Sequence, residues 1–72
     1  MSAGFVSYYD MTLELIRERI AAAGLTRKEI AAGVGISQTT LRRKLSGETM
    51  LTVRDISALA ETLGCKMSAI VA

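Results

Sequence analysis

Residues 25–47 read LTRKEIAAGVGISQTTLRRKLSG. Thr26 is followed three residues later by Glu29, so each side chain can bond the other's backbone N–H. That reciprocal arrangement is a capping box, and it starts a helix. Leu25 before the cap and Ile30 after it form a hydrophobic staple, and Ile30, Ala31 and Val34 fall on one inward face. Gly33 and Gly35 supply the positive φ or the close approach that a sharp turn needs. The pattern then restarts. Ile36 and Ser37 repeat staple and cap, with Leu41 as the staple's other half. The spacing predicts a helix over 27–33 and a second over 38–46, stopped by Ser46-Gly47.

At about 100° per residue, Leu41 and Leu45 of the second helix point inward. Thr39 and Arg43 point away, flanked by Gln38, Thr40, Arg42 and Ser46, with Lys44 to one side. An outward face of Gln, Thr and Arg matches the edges of DNA bases. Arg bonds bidentately to guanine, Gln to adenine, and Thr offers its methyl to thymine. The spacing is that of a helix-turn-helix, whose second helix lies in the major groove.

The order Leu25-Thr26, Glu29-Ile30-Ala31, Val34-Gly35-Ile36-Ser37, Thr40-Leu41, Leu45 and Gly47 continues downstream. There it meets Leu51-Thr52, Ile56, Leu59-Ala60 and Leu63-Gly64. Taken together these residues resemble the Cro/phage-repressor family, the lambda-repressor-like, XRE-type helix-turn-helix proteins. The resemblance spans roughly residues 13–70 and implies a compact all-α bundle of four to five helices. It implies a sequence-specific regulator of transcription bound to a double-stranded DNA operator as a homodimer. A small phage or prophage repressor of the Cro or immunity type fits best. Gln38, Thr39 and Arg43 match the family's base-reading positions, and Arg27 matches the one that anchors a reading residue to phosphate. The loop after the recognition helix lies along the DNA backbone in that family, which brings Thr49 to phosphate here. The family often pairs an Arg on its first helix with an acid late in its third. Lys44 and Leu45 stand in that region, so the pair is not carried over.

The residues themselves extend the phosphate set. Thr26, Arg27 and Lys28 sit at a helix N-terminus, where free N–H groups and the dipole favour anions. Arg42 and Lys44 add contacts from the second helix, and Ser37 and Thr40 lie near the DNA backbone. Net charge is only +2 over 72 residues. Residues 25–47 nevertheless hold five basic residues (Arg27, Lys28, Arg42, Arg43, Lys44) against Glu29, while the remainder holds four basic and six acidic. Such concentration is the footprint of a phosphate-facing surface.

The other segments supply a scaffold for one domain, 1–72. Half the residues are hydrophobic, Pro is absent, and no stretch alternates as a strand would. Met1–Phe5 carry no pattern and are expected to fray. Val6-Ser7-Tyr8-Tyr9-Asp10-Met11 repeats apolar residue, cap and acid, which starts helix 1 near Tyr8; Asp10 or Thr12 would give a later start. That helix ends near Ala23, before Gly24. Tyr9, Leu13, Ile16, Ile20 and Ala23 form its core stripe, and Tyr8, Met11, Leu15 and Ala22 widen it. Asp10, Glu14, Arg17, Glu18 and Ala21 face solvent. Thr52 and Asp55 cap helix 4, about 53–63, whose Val53, Ile56, Leu59, Ala60 and Leu63 face inward. A short helix 5, about 67–71, should bury Met67 and Ile70, and Cys65 should sit in the core as a small hydrophobe.

Other classes lack their residues. There is no His, and Cys65 is alone, so no disulfide or zinc site can be built and the usual catalytic base is missing. Gly33-Val34-Gly35 lacks the Lys and the strand of a phosphate loop. No enzyme, cofactor, metal or small-molecule ligand is expected. No secretory signal or membrane span is visible, which is compatible with a cytoplasmic, nucleoid-associated protein. Two rivals remain: an antitoxin of the same fold, and a protein-interaction module using the apolar face of helix 1.

Overall fold

The structure, a computed structural model, describes residues 7–72. The expectations for Met1–Phe5, and for Val6 as a staple partner, lie outside the described residues. Four α-helices and one 3₁₀ turn follow in order: α1 Tyr8–Ala23, α2 Arg27–Val34, α3 Gln38–Ser46, α4 Val53–Leu63, then Met67–Ala69. No strand occurs among the described residues.

Each α-helix starts on a hydroxyl. Ser7, Thr26, Ser37 and Thr52 accept from the backbone N–H three residues on, at 3.0–3.1 Å. Two caps are full boxes: Glu29 accepts from Thr26 N at 2.8 Å, and Asp55 accepts from Thr52 N at 2.9 Å. Each satisfies a donor that the first turn would leave open. Helix 1 thus begins at the Ser7 cap rather than at the later alternatives. The two glycines of the turn divide their work. Gly35 ends α2 at φ 84°, where a β-carbon is strained, and its N–H bonds the carbonyls of Ala31 and Ala32. Gly33 stays helical. Its bare Cα lets α4 approach so closely that a β-carbon there would stand 2.5 Å from Thr62 Oγ1.

The core gathers one stripe from every helix: Leu13, Ile16 and Ile20; Ile30 and Ala31; Leu41 and Leu45; Leu59 and Ala60; then Leu51 and Ile70 from the connections. Tyr9, Val34, Ile36, Ile56, Leu63 and Cys65 pack around it, half-buried. Two long-range hydrogen bonds close the bundle. Tyr9 Oη accepts from Leu51 N at 2.7 Å, and buried Thr12 accepts from Ala72 N at 3.0 Å.

Four expectations are corrected. Val53 is 75% exposed and stands outside the core, to which α4 contributes Leu59 and Ala60. Met67 is 38% exposed; helix 5 is a single 3₁₀ turn without a side-chain cap, and only Ile70 after it reaches the interior. Leu15 is half-buried, while Tyr8, Met11 and Ala22 are exposed, so the outer part of helix 1's apolar arc stays on the surface. Arg17 does not simply face water: its Nε and Nη2 donate to the Leu45 carbonyl at 2.9 and 2.5 Å.

Candidate nucleic-acid interface

The interface is built on α3 and the N-terminus of α2. Burial of Leu41 and Leu45 turns the opposite side of α3 outward. Gln38, Thr39 and Arg43 are exposed, and among the described residues their side chains make no hydrogen bond or ion pair. Arg27, Gln38, Thr39 and Arg42 line one shallow depression, so the start of α2 and the outward polar face of α3 share a surface. Arg27 and Lys28 are exposed in the first turn of α2. The capping box uses the Thr26 N–H and the Glu29 N–H, leaving the N–H groups of residues 27 and 28 without an intrahelical partner.

The hydroxyls beside them are already organised. Thr26 Oγ1 accepts from Glu29 N. Ser37 Oγ accepts from Thr40 N at 3.1 Å and donates to Thr40 Oγ1 at 2.9 Å, which leaves the Thr40 proton available to an outside acceptor. Arg42 lies 3.6 Å from Glu48, both side chains more than half exposed, and such a pair is weak enough to open. Ser46 Oγ donates to the Arg43 carbonyl and to Glu48. Thr49 is exposed, with its N–H donating to the Arg43 carbonyl at 3.3 Å.

Lys44 is the exception. Its ammonium donates to Asp55 on α4, and both side chains are 13% exposed. Lys44, expected at phosphate, is paired within the free chain instead of standing open like Arg43: the α4 carboxylate lies on its side of α3. Burial pushes the Asp55 carboxyl up, but hydrogen bonds from Lys44 and Thr52 outweigh it and hold the group below its ordinary 3.8. Reading the sequence missed this pair, and also Arg17 on Leu45. No local spacing links residues 44 and 55, or 17 and 45; only the packing of helices brings them together.

Among the described residues no group of three or more His, Cys, Asp or Glu side chains comes together to hold a metal ion. No helix among them is long and apolar enough to cross a membrane.

A capped helix, a glycine turn and a second helix with a free polar face define a helix-turn-helix. The family model described as helix-turn-helix matches residues 15–70. The chain therefore belongs to the helix-turn-helix family, of the Cro/C1-like, XRE type, whose members are DNA-binding regulators. No curated protein and no solved structure matches it.

Proposed function

We propose that this chain represses transcription as a small Cro-like or immunity-type regulator of phage or prophage kind, bound as a homodimer to a two-fold operator. The observation that carries the reading is the free outward face of α3. Gln38, Thr39 and Arg43 read bases in the major groove. Thr26, Arg27, Lys28, Ser37, Thr40, Arg42 and Thr49 set the register on phosphates. Lys44 is left out, since its charge is held by Asp55.

Size favours the dimer: one copy, 36 × 24 × 21 Å in extent, covers little DNA, and two copies on half-sites about one helical turn apart would double the contact. The antitoxin reading would use the same face together with a toxin-binding surface. The interaction-module reading finds support in exposed Tyr8 and Met11 on α1, and it predicts no DNA binding.

Selection of bound sites from a random duplex pool, followed by gel shift at two salt concentrations, tests the proposal. The expected result is a two-fold site with half-sites about one turn apart and affinity falling steeply with salt. Recovery of no preferred sequence would overturn the proposal. A preferred single half-site would remove the homodimer from it.

A further inference from the structure

The reading helix α3 is nine residues long, and Leu41 and Leu45 are its only buried residues. Two leucines one turn apart define a line of contact, but they resist rolling about that line only weakly. A roll of about 10° moves a side-chain head by on the order of 1 Å at the helix surface. That is enough to spoil a bidentate bond to a base edge.

Two polar ties oppose such a roll. One comes from α4, where Asp55 accepts from Lys44 while also accepting from Thr52 N at 2.9 Å, so the acceptor is itself fixed to the start of its helix. The other comes from α1. At the end of α3 the Arg43 and Lys44 carbonyls accept from the N–H groups of the Gly47 turn. The Leu45 carbonyl instead accepts from Arg17, through Nε at 2.9 Å and Nη2 at 2.5 Å. A cation at the negative end of the helix is favourably placed, and two donors in a planar fork fix direction as well as distance. Consecutive residues of α3 are thus held from two different helices.

We propose that Arg17 and Asp55 are positioning residues that fix the rotational setting of α3, and so set DNA sequence preference without touching DNA. The proposal rests on the base-reading role of α3 argued above.

The test compares affinity for a duplex recovered by the site selection with affinity for a scrambled duplex, in wild type, Arg17→Met, Arg17→Lys and Asp55→Asn. All are measured well below their unfolding temperatures, located by circular dichroism. Arg17→Met and Asp55→Asn should each lower the ratio of selected to scrambled affinity about tenfold. Affinity for scrambled DNA should stay within about twofold, because phosphate contacts are kept. Arg17→Lys, with one directional donor fewer, should fall between and supplies the folded comparison should Arg17→Met not fold. An unchanged ratio in the folded variants, with only a lower unfolding temperature, would overturn the proposal and leave base reading standing. A wild-type chain without sequence preference would overturn both.

Discussion

Arg43 and Lys28 are exposed cations to which the proposed function gives different tasks. Arg43 projects from the reading face, so Arg43→Ala should cost about 1–3 kcal/mol at the selected site and relax one base position. Lys28 stands at the start of α2, so Lys28→Ala should weaken selected and random duplex alike and reduce the slope of affinity against salt. Gel shifts across a salt series separate the two; equal losses on both duplexes in Arg43→Ala would contradict its assignment. Lys44, which follows Arg42 and Arg43 in the chain, behaves differently because Asp55 lies on its side. Asp55 titrates below its ordinary 3.8 in the folded chain. The unfolded state therefore takes up its proton first as pH falls. The stabilisation is complete above the unfolded value and disappears as pH drops through the folded one. Thermal unfolding at about pH 6 and about pH 3 should show this loss, and Asp55→Asn should make it smaller while costing roughly 2–3 kcal/mol near neutrality. A loss equal in wild type and Asp55→Asn would assign the acid sensitivity to other carboxylates.

Helix starts and stops were legible because they are local. A hydroxyl and the N–H three residues on are neighbours whatever the rest of the chain does, and Gly35 must take its positive φ within the turn itself. Direction of burial was legible too, since the wheel placed Leu41 and Leu45 inward and Thr39 and Arg43 outward. Depth was not. Val53 lies on the inward side of α4 by periodicity and is nevertheless 75% exposed, although Asp55 in the same turn meets Lys44 of α3. Gly33 illustrates the same limit: its need for a missing β-carbon comes from Thr62, far along the chain. Gly33→Ala gains helix propensity but meets a stiff, half-buried Thr, so we expect a net cost of about 1–2 kcal/mol by urea unfolding. Adding Thr62→Ala should recover most of it. A stabilised Gly33→Ala single variant would show that α2 and α4 can separate without cost.

Across the whole molecule, elements too short to be stable alone share one small core. Ile70 is fully buried although it follows a single 3₁₀ turn, so the end of the described chain closes the bundle. Ile70→Ala should cost about 2–5 kcal/mol, a large part of a small domain's stability, and should lower the unfolding temperature without changing the selected DNA site. A change of site would mean that the chain's end also sets α3. The sequence by itself determined the four helices, their caps, the glycine turn and the polar face of α3, because each depends on residues within a turn or two of one another. Tertiary structure alone decided that Lys44 turns to Asp55, that Arg17 holds the Leu45 carbonyl, and which apolar residues reach the interior. Those outcomes depend on which helix lies alongside which, and residue spacing along one helix carries no record of its neighbours.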